Sequence, residues 1–253
     1  MNTTAVIGAL IAGLATGFGA LPIFFKREFS KRTLDIGLGF SAGIMLVASF
    51  TALVLPGLNE AKNIYGFGLG LPISMSGLML GYFFIIIVHD FLPHEHIFKQ
   101  RDMKHQTKMN RMGLIVLAIT LHNFPEGLSV GVGFGSGDEQ SGMTLAMAIA
   151  LQNMPEGLVV ALGLLSEGAS KIKAFYMALL SGLVEPFAAI IGLISASVTQ
   201  YSLPIALGFA GGTMLFVICQ EILPELFREG HERSATFGVI LGIITMLSMN
   251  YYF

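Results

Sequence analysis

Eight apolar runs, each long enough to cross the hydrocarbon core of a bilayer, dominate this sequence of 253 residues. A helical crossing needs about 20 predominantly apolar residues. Only 12% of the residues are charged, whereas soluble domains carry about 25%. The runs lie at about 3–25, 34–56, 66–89, 113–135, 142–165, 172–196, 203–225 and 234–252. The sequence therefore predicts an all-α polytopic membrane protein with eight transmembrane helices in a single domain over residues 1–253.

Basic residues are concentrated in alternate connections between the runs. Of the 14 Lys and Arg residues, 13 follow the first, third, fifth or seventh run, and only Lys62 lies on the other side. Because short loops rich in Lys and Arg stay in the cytoplasm, both termini are predicted to lie on the non-cytoplasmic side of the plasma or inner membrane. Residues 90–112 are then a cytoplasmic loop.

Two pairs of segments repeat at one offset. ALIAGLATGFGAL (9–21) matches ALLSGLVEPFAAI (178–190), and LGFSAGIML (38–46) matches LGFAGGTML (207–215), both 169 residues apart. Since five runs separate the partners, each pair crosses the membrane in opposite directions. The sequence thus predicts an inverted repeat of runs one to three and six to eight, with runs four and five inserted between them, although runs three and eight share no convincing match. Inverted repeats are typical of secondary transporters.

Two nearly identical polar motifs interrupt the fourth and fifth runs. LHNFPEGL occupies 121–128 and LQNMPEGL occupies 151–158. Residues three or four apart share one face of a helix, so His122 and Glu126 point the same way, and the second motif repeats this arrangement. The proline in each motif frees a backbone carbonyl and predicts a kink beside the polar groups. Glu185, just before a proline in the sixth run, adds a third carboxylate.

Three carboxylates inside a membrane need a compensating partner. An ionised carboxylate at a helix centre costs about 2.5 to 3.5 kcal/mol, so three would cost on the order of 8 to 10 kcal/mol. One alternative is that they are protonated and hydrogen-bonded. A divalent cation explains the imidazole and amide neighbours better, because one histidine nitrogen with carboxylate and amide oxygens suits Zn, Fe, Mn or Co. The single cysteine, Cys219, cannot form a thiolate cluster.

The motifs HNFPEG, QNMPEG and VEP on eight apolar runs resemble the ZIP (Zrt/Irt-like) family of divalent metal transporters, in its GufA-type branch. The resemblance implies a binuclear metal site. The ligands it implies for one metal are Met45, His122, Glu126, Gln152 and Glu156. Those for the other metal are Asn123, Glu126, Asn153, Glu156 and Glu185. Some relatives carry Asp in place of Asn153, which leaves the second position less negative here.

The resemblance further implies uptake of metal toward the cytoplasm by alternating access. Zn²⁺ is the expected substrate, with Fe²⁺, Mn²⁺, Co²⁺ and Cd²⁺ as further candidates. It also implies a homodimer in the lipid bilayer, in which spans one, four, five and six move against spans two, three, seven and eight. No resident cofactor, catalytic residue or nucleic-acid partner is expected.

Other functions stay open at this point. They include a selective metal-ion channel, a metal-binding membrane sensor without flux, and a proton or sodium transporter. An intramembrane metalloprotease is disfavoured because the chain has no H-E-x-x-H motif.

Two further groups of ionisable residues can be interpreted as metal ligands or as solvated charges. The first is the cytoplasmic stretch after run three, with His89, Asp90, His94, Glu95, His96 and His105. Its histidines fit either a receiving site for metal or an ordinary solvated loop. The second is the inner end of run seven, where Glu221 and Glu225 could line an exit path with His231.

Overall fold

The described residues of the computed structural model, 3–26, 29–91, 111–227 and 230–253, are almost entirely helical and contain no strand. Their α-helices are α1 (Thr3–Ala20), α2 (Lys31–Ala48), α3 (Leu55–Phe91), α4 (Arg111–Gly135), α5 (Glu139–Ser166), α6 (Lys171–Gly182), α7 (Val184–Ser197), α8 (Leu203–Val217), α9 (Leu223–Leu226) and α10 (Glu232–Tyr252). A 3₁₀ turn, Leu21–Phe24, extends α1. Two π-helical segments, Ser49–Val54 and Ile218–Ile222, join α2 to α3 and α8 to α9.

Six helical segments within the described residues are long and apolar enough to cross a membrane, which confirms a polytopic membrane protein. These segments are Thr3–Phe24, Lys31–Val88, Glu139–Ser166, Lys171–Ala196, Leu203–Leu226 and Glu232–Tyr252. The second has 58 residues, and at 1.5 Å per residue it would be about 87 Å long if straight. Its backbone breaks at Gly66, where φ is 77° and ψ is 175°. The count of eight spans stays a prediction.

The helix boundaries differ from the predicted runs in two places. Residues 57–65, predicted to connect runs two and three, are helical, because Pro56 occupies the first turn of α3 and good helix formers follow it. The sixth run is divided at Leu183 into α6 and α7, immediately before Glu185. By contrast, α4 and α5 continue as single helices through Pro125 and Pro155.

Glycines set the closest approaches between helices. A Cβ on Gly13 of α1 would overlap the carbonyl oxygen of Gly182 of α6, and a Cβ on Gly182 would overlap the carbonyl oxygen of Gly13. The two residues are 169 apart, the offset of the sequence matches. Small residues of this kind let membrane helices pack backbone to backbone. Here α1 and α6 cross at equivalent positions.

The same offset relates the packing of α2 on α10 to that of α8 on α3. Gly43 of α2 packs against the Val239 carbonyl, and Gly212 of α8 packs against the Leu78 carbonyl. In the reverse direction, Gly242 of α10 meets the Phe40 carbonyl, and Gly81 of α3 meets the Phe209 carbonyl. Partners on α2 and α8 differ by 169 residues, and those on α3 and α10 differ by 161.

Candidate metal centre

The glycine that ends each polar motif brings the carboxylates together. A Cβ on Gly127 of α4 would overlap the backbone of Glu185, and a Cβ on Gly157 of α5 would overlap the carbonyl oxygen of Thr16 on α1. Glu126 and Glu156 immediately precede these two contacts, so both are held at the centre of a bundle formed by α1, α4, α5, α6 and α7. Sequence reasoning did not single out the two glycines, although their position after Pro-Glu in both motifs was a visible signal.

Nearly every predicted ligand is buried. The relative exposure is 0% for Glu126, Gln152, Asn153, Glu185 and Met45. Asn123 and Glu156 are buried as well, and the side chain of His122 is only 11% exposed. Burial of this kind without partners would strongly disfavour charged groups, so their contacts decide what the site can do.

Amides of α5 bind two of the three carboxylates. Gln152 Nε2 donates to Glu126 Oε1 at 2.8 Å. Asn153 Nδ2 donates to Glu185 Oε1 at 2.7 Å and to the Ala12 carbonyl at 3.1 Å. The carbonyl of Ala12 can only accept a hydrogen bond, so it fixes the orientation of the Asn153 amide.

Six buried oxygen atoms of the centre have no hydrogen-bond donor. They are Glu126 Oε2, Gln152 Oε1, Asn153 Oδ1, Glu156 Oε1, Glu156 Oε2 and Glu185 Oε2. Buried polar groups are normally paired, and an unpaired buried charge is costly. The three carboxylates also lie close enough to interact electrostatically with one another. A set of unpaired, mutually repelling oxygens is chemically suited to a hard or borderline cation.

His122 meets a carboxylate from a different helix. Its Nδ1 lies 3.2 Å from the Ala118 carbonyl and 3.3 Å from Glu221 Oε2. Both neighbours are acceptors, so in the neutral imidazole the proton is on Nδ1 and the lone pair is left on Nε2. A hydrogen-bonded Nδ1–H orients a histidine whose other nitrogen binds metal. Glu221, a candidate for the exit path, thus pairs with a candidate ligand.

Met45 lies on the face of α2 that packs on α5. Ser41, one turn earlier, donates to the Gln152 carbonyl at 2.7 Å. Residues four apart share a helix face, so Met45 is directed to the same side. The structure thus brings α2 against the second motif, and a thioether ligand at Met45 stays a prediction.

Histidine, cysteine and acidic side chains do not by themselves form a ready metal cluster. Within 3–26, 29–91, 111–227 and 230–253, no group of three or more of them is arranged to hold an ion. Gln152, Asn123 and Asn153 would therefore have to complete the coordination, as expected for the predicted ligand sets.

The secondary candidates separate from one another. His231 Nδ1 lies 3.1 Å from Asp35 Oδ2, so its observed partner is on α2 and not in the exit path predicted for it. His94, Glu95, His96 and His105 lie outside the described residues, as do the side chains of His89 and Asp90.

Asp138, just outside the membrane-spanning part of α5, caps that helix. It accepts hydrogen bonds from the backbone N–H groups of Gln140 and Ser141 at 3.1 Å and from the Ser141 hydroxyl at 2.6 Å. These bonds, chiefly those from Ser141, lower the pKa of Asp138 below its usual value. The charged form of the carboxyl is therefore the one that stabilises the start of α5.

Comparison with known proteins identifies relatives along nearly the whole chain. A family model described as ZIP Zinc transporter matches residues 92–250. The protein named zinc transporter GufA from Myxococcus xanthus is 41% identical over 246 residues, or 97% of both chains. Zinc transporter ZIPB from Bordetella bronchiseptica is 41% identical over 97% of this chain and 80% of its own length. Human zinc transporter ZIP11 is 30% identical over 97% of this chain and 96% of its own.

Proposed function

This chain belongs to the ZIP zinc transporter family, and we propose that it moves Zn²⁺ toward the cytoplasm through a binuclear site at the centre of its helical bundle. Metal-ion transport, of zinc in particular, follows from the names of the relatives along most of the chain. Fe²⁺, Mn²⁺, Co²⁺ and Cd²⁺ have similar ligand preferences and are further candidate substrates.

The observation that carries this proposal is the set of six buried oxygens without donors. In a protein without a bound cation they would represent a large unpaired polarity inside a membrane. A divalent ion supplies the positive charge that the described part of the bundle otherwise draws only from hydrogen bonds. The unpaired oxygens thus favour metal ligation over the alternative of protonated, hydrogen-bonded glutamates.

The two proposed positions are chemically unequal. The first would use His122 Nε2 with Gln152, Met45, Glu126 and Glu156. To offer its oxygen there, the amide of Gln152 has only the bond to Glu126 to give up. The second would use Asn123, Asn153 and Glu185 with the same two shared glutamates. Its Asn153 amide is tied to both Glu185 and Ala12, and it contributes no charge. We expect the first position to bind Zn²⁺ more tightly.

The path proposed for release leads past Glu221. His122 would be a ligand on one side and contacts Glu221 on the other, so a metal leaving the first position meets a second carboxylate at once. The connection that follows Glu221 has the basic residues of a cytoplasmic loop. This argues for release into the cytoplasm, with both termini on the opposite side of the plasma or inner membrane.

Alternating access would move one group of helices against another. The glycine contacts of α1 with α6, and of α2 and α8 with α10 and α3, support an inverted repeat that includes the third and eighth spans. In such a repeat, the ligand-bearing bundle of α1 and α4 to α7 rocks against α2, α3 and α8 to α10. The Ser41–Gln152 hydrogen bond is one contact across the boundary between these groups. A homodimer, as the family resemblance implies, completes the proposal.

The test is zinc uptake into proteoliposomes that contain the purified full chain. Glu126→Gln keeps the shape of the side chain but removes its charge, and we expect it to abolish uptake and zinc binding. Glu60→Gln, an acid on α3 away from the centre, is the matched control and should behave as the wild type. Binding without flux in the wild type would favour a sensor, and uptake by Glu126→Gln at the wild-type rate would refute the site.

A further inference from the structure

A groove of about 890 Å³ opens near the ends of α1 and α5, where α2 and α6 begin. One wall is apolar, from Phe29, Leu34, Leu162, Leu165 and Ala169. The other end is polar, from Ser166, Ser170 and Lys171. It has no part in the metal centre described above.

Membrane-facing side chains flank the groove. Phe25 is 92% exposed, Ile172 is 63% exposed and Tyr176 is 56% exposed. Large apolar side chains with this exposure, on helices that cross a bilayer, face lipid. An acyl chain lying along the apolar wall would therefore continue the surrounding bilayer, and the polar end would lie at headgroup depth.

Lysines gather at the polar end. Lys171 lines the groove itself, and Lys31 begins α2 between two residues of the apolar wall. Lys26 lies with its Nζ 5.2 Å from the ring centroid of Phe29, another wall residue. Among nearby acids, Asp35 is paired with His231, and Glu167 follows the last residue of α5. The polar end is thus more basic than acidic.

Lys171 is positioned to bind an anion. Its Nζ donates to the Phe24 carbonyl at 3.0 Å, which anchors the side chain while two further N–H donors remain on the ammonium. Basic pockets between transmembrane helices on the cytoplasmic side bind anionic lipid headgroups. We propose that this groove is a binding site for an anionic phospholipid, with the headgroup at Lys171 and an acyl chain along the apolar wall.

The location gives the lipid a consequence for transport. Phe29 and Leu34 belong to the connection and helix that precede the Ser41 contact, whereas Leu162 to Lys171 belong to the ligand-bearing bundle. A lipid in the groove bridges the two groups of helices. The lipid site itself does not depend on the proposed metal transport.

The experiment is native mass spectrometry of the full chain released from nanodiscs that contain phosphatidylcholine with or without phosphatidylglycerol. We compare the wild type with Lys171→Gln, which can still donate to Phe24 but has no charge. Near a membrane surface one lysine contributes about 1 kcal/mol, so phosphatidylglycerol retention should fall about fivefold. Lys171→Arg should retain the preference.

Lys173→Gln is the matched control, because Lys173 is on the same helix and the same edge but does not line the groove. It should keep the wild-type preference for phosphatidylglycerol. Equal losses in the Lys171 and Lys173 variants would mean diffuse surface charge and would overturn the site. Equal retention of the two lipids by the wild type would overturn it as well.

Discussion

The contact between Gly127 and Glu185 offers a direct test of how the metal centre is assembled. A Cβ at Gly127 would overlap the backbone of Glu185, and relief of the overlap requires α4 and α7 to separate on the order of 1 Å. Glu126, the adjacent residue, would then move away from Glu185. Gly127→Ala should therefore weaken metal binding without removal of any ligand.

The size of the effect follows from packing energies. Overpacking at a tight contact costs about 1 to 3 kcal/mol, and if this strain is relieved by displacement of the ligands, affinity falls roughly 5- to 150-fold. The assay is equilibrium binding of Zn²⁺ to the purified protein, followed by initial uptake rates in proteoliposomes. Thermal unfolding of the same samples separates local displacement from general loss of structure.

The chain supplies its own control for a glycine-to-alanine change. Gly68 lies in α3, and a Cβ there would meet nothing within 4 Å. Gly68→Ala should bind and transport zinc as the wild type does. If Gly127→Ala bound zinc with the same affinity as Gly68→Ala, the reasoning that links the motif glycine to the ligand geometry would be refuted.

Two further predictions address the second metal position and the helix cap. Asn153→Asp should add a fourth carboxylate and strengthen the weaker position, measured as a rise in bound zinc per chain at fixed free zinc; an unchanged stoichiometry curve would contradict the proposed inequality. Asp138→Ala should lower the stability of the fold by about 1 kcal/mol, whereas Asp138→Asn should retain most of it. Because the folded pKa of Asp138 is lowered, its stabilisation is present above about pH 3.9 and is lost as the pH falls through the folded pKa; thermal unfolding as a function of pH measures both effects.

The sequence predicted the partners inside each motif well, because a regular helix fixes which residues share a face. It placed the polar residues of α4 and α5 in long helices, and the structure has them there. It could not predict that Gln152 binds Glu126 or that Asn153 binds Glu185. Those contacts depend on how far two helices slide along each other, and that distance is set by glycine contacts and not by periodicity.

The third pair of the repeat shows why a structural relation can be hidden in a sequence. Contacts of the α2–α10 type are matched by those of α8 with α3, but the positions on α3 and α10 differ by 161 residues and not by 169. A search at one offset therefore misses them. Since these contacts are made to backbone carbonyls, they require only a small residue on one side, and the rest of the sequence is free to diverge.

The partner of His122 was hidden for a different reason. Glu221 lies in the π-helical segment Ile218–Ile222, and a second π-helical segment begins at Ser49, 169 residues earlier. A π turn holds more residues than an α turn, so it rotates every later side chain to a new face of the helix. A helical wheel drawn with 3.6 residues per turn consequently cannot say what Glu221 meets. That both segments fall at equivalent positions suggests that these rotations are part of how the two halves aim their side chains, Glu221 at His122 among them.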